Sequence, residues 1–530
     1  MIRALLLATT LLVAAPAAAQ ELSPEAASLK SHVAFLASDA MKGRDTGSPE
    51  IAIAEQYVAA QMLAAGLRPG GVSGGWLQPV PLIGYKPADH GSLALKRGAT
   101  VTPLEWGKDY LTRGLPGLPK FAVSGEVVFA GYGVVDKTSG WDDYKGLNVK
   151  GRIVAVLRDS PHTLSSDVRA HLSTPLEQAR IAAEHGAVGV ILIEGNTRRN
   201  GYSFAKVVPN WQSEAMTWDA GAPSGPSAPP FAYLSFEGAA KLFAGSKLKW
   251  DAVIAQDKPG GKLPHGPLGV VAQGESNTTI TKLAGNNVVG ILEGGDLKDE
   301  YVAISAHLDH VGVGEANAAG DTIYNGAMDN AAGTAAMLEV ARRFRAEGKK
   351  PRRSILFVAV TAEETGLVGS EYFAANPTVP KGSIVADVNL DMPILTYAFE
   401  DLVAIGADHS SVGAVVAAAA ASEGVKVVPD GSPEEAFFVR SDHYSFVKAG
   451  IPSVSLDLGP GGPGAAASKE FLDKHYHQPS DEIGLIDWNQ GLRFVKLNYA
   501  IARALADADQ RPVWNKGDFF GTLYKGTMAK

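Results

Sequence analysis

At 530 residues the chain is well past the size at which one hydrophobic core stops growing, so two or more compact units are expected. Its make-up, 46% hydrophobic and 20% charged, is that of an ordinary globular protein. The formal net charge is a modest −8 with no dense Lys/Arg block, which argues against nucleic-acid binding, and the lack of cysteine excludes any disulfide.

The chain opens on MIRALLLATTLLVAAPAAAQ: a basic start at Arg3, an apolar stretch from Ala4 to Ala15, then Ala17 and Ala19 in an A-x-A arrangement. The apolar part is shorter than the roughly 20 residues that span a bilayer, so residues 1–19 read as a cleaved export signal and not as an anchor. Without cysteine, lipid attachment at the cleavage point is also excluded. A periplasmic or secreted protein with no stable membrane insertion is expected.

Ser48-Pro49-Glu50 predicts a helix start, with an N-cap hydroxyl, proline at the first helical position and an acid in the first turn. Ile51, Ala54, Val58, Met62 and Ala65 follow at helical spacing, and Gly66 stops the run. From about Ser124 short β-like runs appear, GEVVFAGYGVV and GRIVAVLRD, then the helix-like PLEQARIAAEHGA and the strand VGVILIEG. Asn210 to Pro267, rich in Pro, Gly, Ser and Ala, reads as loops with little regular structure. Residues 120–275 are taken as an inserted module, between an N-terminal part at 20–119 and a main part at 276–530.

After Asn286 strands alternate with helices: NVVGILEG, YVAISAH, SILFVAVT, SIVADVNLD, LVAIG and PSVSLDLG, with NAAGTAAMLEVARRFRAEG among the helices. In that helix Met337, Ala341 and Phe344 share one face. The alternation predicts an α/β fold, a mostly parallel mixed sheet with helices on both faces.

In such sheets, sites form at the carboxyl ends of the strands. YVAISAH ends in His307, followed by Asp309 and His310; SILFVAVT runs into Glu363 and Glu364; SIVADVNLD ends in Asp391. Asp329 precedes a helix in YNGAMDNAAG, and HYHQPSD carries His475, His477 and Asp481. Each has an ordinary explanation alone, as a bonded histidine, a helix cap or a solvated acid pair. Their convergence at one end of one sheet points instead to a metal centre, and an N/O donor set suits zinc, with cobalt or manganese as alternatives.

HLDHVG, NGAMDNAAG, AEETGLVGS, NLDM and YHQPSD, in that order, resemble the ligand motifs of the M28 family of dinuclear zinc peptidases. VAFLASDAMKGRDTGS resembles that family's N-terminal region, and WDDYKGLNVKGRIVAVL with ARIAAEHGAVGVILI resembles the protease-associated (PA) domain many members carry. The resemblance implies a zinc-exopeptidase (phosphorylase/hydrolase-like) fold with an inserted β-rich PA domain. Carried over by residue, it implies two zinc ions, one bound by His307 and Asp391, the other by Glu364 and His477, with Asp329 bridging. Glu363 would be the general base, and Asp309 would orient His307. His310 reads as a neighbour and not a ligand, His475 as the alternative to His477, and Asp481 as a partner orienting His477.

Ser441, Asp442 and His443 resemble a substrate-side element of the family, where some members place an oxyanion-binding tyrosine nearby; Phe438 stands at that position here, leaving Tyr444 or His443 as substitutes. The expected function is an exported zinc exopeptidase acting on peptides, an aminopeptidase. A carboxypeptidase of the glutamate-carboxypeptidase type needs a cation for the substrate's carboxylate, and Arg440 is a lone candidate. The related M20 hydrolases lack the GAMDNAAG motif and PA-like insert, and glutaminyl cyclases use a single zinc. A non-catalytic binding protein on the same scaffold would have lost ligands that this chain retains. Residue preference, the role of the insert and oligomeric state are not encoded in any recognisable motif.

Overall fold

The computed structural model describes residues 22–220 and 227–530; the export signal expected at 1–19 lies outside them. Among the described residues no helix is long and apolar enough to cross a membrane.

The main sheet is mixed. Its order is Leu77–Pro87, the later half of Gly266–Leu292, Arg353–Val360, Leu297–His307, Ile384–Asn389, Ser453–Leu458, Asp401–Ile405 and Lys426–Val428. The four strands from Arg353–Val360 to Ser453–Leu458 run parallel, so their carboxyl ends lie along one edge of the fold. Arg353–Val360 and Ile384–Asn389 are buried at every position, as strands covered on both faces must be. On one face pack helices Pro24–Leu36, Pro49–Ala64, Gly333–Glu347 and Trp488–Asp507, on the other Val368–Ala375 and His443–Lys448 through Phe373 and Phe446.

The expected caps form. Ser48 Oγ accepts the N–H of Ile51 with Pro49 at the first helical position, and Met337, Ala341 and Phe344 are buried. Gly348, at φ +71°, ends the latter helix in the left-handed region that glycine enters without strain.

The second sheet holds Thr100–Pro103, Ser92–Arg97, the first half of Gly266–Leu292, Lys120–Phe129, Ile153–Leu157, Gly189–Ile193, Pro230–Leu234 and Tyr110–Thr112, in that order. It therefore takes in residues 92–112, ahead of residue 120. Its last strand, 27 residues long, runs on past 275 into the main sheet.

One expectation is corrected in part. Residues 210–267 carry more regular structure than expected: among the described residues they contain strands Ala215–Trp218 and Pro230–Leu234 and helices Phe236–Phe243 and Trp250–Ile254. Glycine and proline are frequent there, but a short apolar run, Phe231–Leu234, is enough for a buried strand. Ser235 then caps the next helix by accepting the N–H of Gly238.

Candidate active site

The three parallel strands at the centre deliver their ends to one place. His307 closes Leu297–His307, Glu363 and Glu364 follow Arg353–Val360 after a two-residue turn, and Asp391 follows Ile384–Asn389. Asp329 sits in the π-helical turn Ala327–Ala332, which runs straight into helix Gly333–Glu347. Ala362, Met392 and His477 adopt positive φ of 56°, 44° and 52°. Non-glycine residues pay roughly 1–2 kcal/mol for this conformation, and here it occurs directly beside or at a site side chain three times.

Asp329 is the centre of the group. Its Oδ1 lies 3.2 Å from His307 Nε2 and its Oδ2 3.2 Å from His477 Nε2. His307 Nε2 is also 2.9 Å from Asp391 Oδ1, and His477 Nε2 is 3.0 Å from Glu364 Oε2. Three overlapping sets of donors result, His307–Asp329–Asp391, His310–Asp329–Glu364–His477 and His307–Glu363–Glu364, each with all donor atoms within 4.8 Å. Four carboxylates so close repel strongly, and imidazole nitrogens with carboxylate oxygens are the donors zinc takes. The residues present fit a zinc centre, and they include, besides the residues the sequence singled out, His310, which it read as a neighbour.

The electrostatics follow from burial and crowding. Burial and the Asp329 charge would push Glu364 up, but His310 and His477 draw it down to about 2. Burial would lower His477, yet Asp329 and Glu364 raise it to about 10. Glu363 is different. Burial, with Asp391, Glu364 and Asp442 nearby, lifts it well above the usual carboxylate range despite His307, and its carboxyl has no hydrogen-bond partner among the described residues.

Several surrounding roles differ from expectation. Asp309 meets His307 Nδ1 through its backbone oxygen, at 3.1 Å. Its carboxylate turns instead to the N–H groups of Glu363 and Glu364, at 3.1 and 3.4 Å, which are buried donors needing a partner. Asp481 does not reach His477; it accepts the N–H groups of Met328 and Asp329, both at 3.0 Å, and so fixes the Asp329 turn. His475 bonds Ser480 and lies outside the donor groups, whereas His310 enters them, its Nδ1 2.6 Å from Glu364 Oε1.

Of the Ser-Asp-His element Ser441 bonds the site, donating to Asp391 Oδ2 at 2.5 Å, and Asp442 acts on Glu363 through its charge. His443 is buried against Phe438, and the Tyr444 hydroxyl is committed to His171 at 2.6 Å, so neither serves as the expected substitute. Tyr476 comes closer: its ring centroid is 4.0 Å from that of His477. Sequence reasoning also missed Arg44. Buried, it donates to the carbonyls of Leu36, Leu308, Asn325 and Gly326, tying the His307 loop to the Asp329 loop, and Thr46 beside it donates to Asp309. The signal was present in KGRDT, where a basic residue sits inside a segment otherwise read only as a resemblance.

Residues 287–502 match peptidase family M28. This stretch is a peptidase family M28 domain. It contains every donor named above. A probable glutamate carboxypeptidase, VP8, of Zea mays is 28% identical over 485 residues, covering 81% of this chain and 61% of that protein. Leupeptin-inactivating enzyme 1 of Streptomyces exfoliatus is 30% identical over 217 residues, 39% of this chain and 45% of that protein. The chain thus spans less than two thirds of the length of these curated relatives. Among solved structures, the aminopeptidase from Aneurinibacillus sp. strain AM-1 superposes with a TM-score of 0.52 at 22% identity, covering 91% of this chain and 93% of that one. At that identity the likeness establishes the fold: the M28 domain lies within an α/β architecture that both chains share nearly from end to end.

Proposed function

We propose that the protein is an exported zinc-dependent exopeptidase, an aminopeptidase removing N-terminal residues from peptides, with two zinc ions bridged by Asp329. The observation that carries this reading is the placement of Asp329, one oxygen toward His307 and the other toward His477. His307 and Asp391 would hold one ion, Glu364 and His477 the other. Residues 120–275, with the strands at 92–112 that join their sheet, are proposed to be the PA-like insert.

Zinc in these groups supplies a Lewis acid for the scissile carbonyl and lowers the pKa of water toward about 7. Glu363, unbonded and raised toward proton uptake, accepts the proton of the attacking water and delivers it to the departing amine. Asp309 holds the Glu363 backbone while this happens, and Ser441 holds Asp391. A second reading, carboxypeptidase action, is favoured by Arg440, whose Nη2 lies 3.4 Å from the Tyr476 hydroxyl beside His477. Arg440 is already paired with Glu435 at 3.4 Å, which places the aminopeptidase reading first.

The test is hydrolysis of a panel of aminoacyl and carboxyl-blocked dipeptides, before and after chelation and with zinc restored. Zinc-dependent release of N-terminal residues from carboxyl-blocked substrates is expected. Hydrolysis confined to substrates with a free carboxylate overturns the polarity, and activity indifferent to chelation overturns the metal mechanism.

A further inference from the structure

A second group of acids and imidazole lies outside the M28 domain. Asp159 follows strand Ile153–Leu157, His162 comes three residues later, and Asp257 follows helix Trp250–Ile254. His162 Nε2 stands 3.5 Å from Asp159 Oδ2 and 3.7 Å from Asp257 Oδ1. The side chains of Asp159 and Asp257 are 6% and 0% exposed and that of His162 14%.

Buried polar atoms are almost always hydrogen-bonded, and an unpaired carboxylate oxygen is costly. Yet Asp159 Oδ2 and His162 Nε2 are shut off from solvent with no hydrogen-bond partner among the described residues. Their separation is long for a hydrogen bond. It is close to the spacing between donors around one tetrahedral ion, about 3.3 Å for bonds of about 2.0–2.1 Å.

The surroundings orient these atoms. Asp159 Oδ1 accepts the N–H of Ser160 at 2.7 Å and faces Arg169 Nη2 at 3.4 Å, which leaves Oδ2 turned to His162. Asp257 Oδ2 accepts the N–H of Asn196 at 2.6 Å, and its Oδ1 receives the Tyr132 hydroxyl at 2.9 Å while also facing His162. The Thr197 hydroxyl also donates toward the Asp159 carboxylate. Two buried carboxylates, Asp159 and Asp257, stand beside a single guanidinium, that of Arg169.

We propose that Asp159, His162 and Asp257 form a structural divalent-cation site that takes zinc, independent of the M28 centre. The ion ties the segment after Ile153–Leu157 to the end of helix Trp250–Ile254, two parts of the second sheet's unit far apart in sequence. That segment leads directly into helix Ser166–Leu172, whose Asp167 and His171 meet His409 and Tyr444 of the M28 domain. Bracing it fixes the face on which the two units lean.

The full chain is stripped with chelator, reloaded with stoichiometric zinc, desalted and its metal content measured. His162→Ala and Asp257→Asn are each expected to hold one zinc per chain fewer than wild type, while peptide hydrolysis stays within twofold. Anomalous scattering at the zinc edge from wild-type crystals is expected to show a peak between the three side chains, a readout that stands even if a variant fails to fold. Equal zinc content in wild type and variants, or no peak between these residues, overturns the site.

Discussion

At the carboxyl ends of the main sheet, each donor but His477, which follows helix Gly464–Lys474, either comes within four residues of a buried parallel strand's end or, as Asp329, sits in a turn locked by Asp481. Arg44, Asp481 and Ser441 each bond a backbone or carboxylate of that centre from distant sequence. Around Asp159, His162 and Asp257, the donors come from segments beyond one strand and one short helix; Ser160 and Arg169 orient Asp159 from nearby, while Tyr132 and Asn196 orient Asp257 from farther along the chain. The strand-borne group also contains one acid, Glu363, whose whole carboxyl is crowded but unbonded, whereas in the loop-borne group each acid is held through at least one oxygen. A group built for reaction keeps one partner free. A group built to brace uses all of its donors inward.

The comparison is broken most forcefully at Glu363. Glu363→Gln is expected to lower kcat by about 10²–10⁴-fold with zinc content unchanged; retained kcat would remove the distinction between the two groups. Arg44→Met comes next. Four buried carbonyls lose their donor, so stability is expected to fall by about 3 kcal/mol or more in denaturant unfolding, and a loss below about 1 kcal/mol would show that the strands alone set the M28 centre.

The contact between the two regions is sharpened by pH. His409 lies 3.0 Å from Asp167 and 2.6 Å from Asp518, and although burial would lower its pKa, these carboxylates raise it to about 9. A raised imidazole stabilises fully below its unfolded pKa near 6.5, and the contribution fades as pH rises through about 9. Melting temperature is therefore expected to drop between pH 7 and 9.5, by an amount equivalent to up to about 3 kcal/mol, and His409→Gln is expected to abolish that dependence. The smallest effect is expected for Ser441→Ala: about tenfold in kcat/KM through loss of the hydroxyl on Asp391, with fold and metal content preserved.

Much of the M28 centre was legible because its donors lie beside short apolar strands, and strand ends are visible in a sequence. His307, Asp329, Glu363, Glu364, Asp391 and His477 all converge in the structure. The partners were not legible for an equally physical reason. Whether Asp309 offers its carboxylate or its backbone oxygen to His307 depends on a turn, and whether Asp481 faces His477 or the N–H of Asp329 depends on packing across some 150 residues of chain. The strands within 210–267 escaped because a composition rich in turn-formers hid an apolar run only four residues long.

The strand Gly266–Leu292 has a consequence for how the protein can be cut or moved. Around residues 271–275 it is bonded on both sides, to Ser92–Arg97 and to Lys120–Phe129, and further along it lies between Leu77–Pro87 and Arg353–Val360. At about 3.3 Å per residue it is a continuous beam through both sheets and not a flexible tether. The second unit therefore cannot swing over the M28 centre like a door; relative motion is limited to twisting along the beam. Trimming the chain to 287–502 would leave the stub Val288–Leu292 bonded to Arg353–Val360 along one edge but stripped of Leu77–Pro87, a bare edge that invites aggregation.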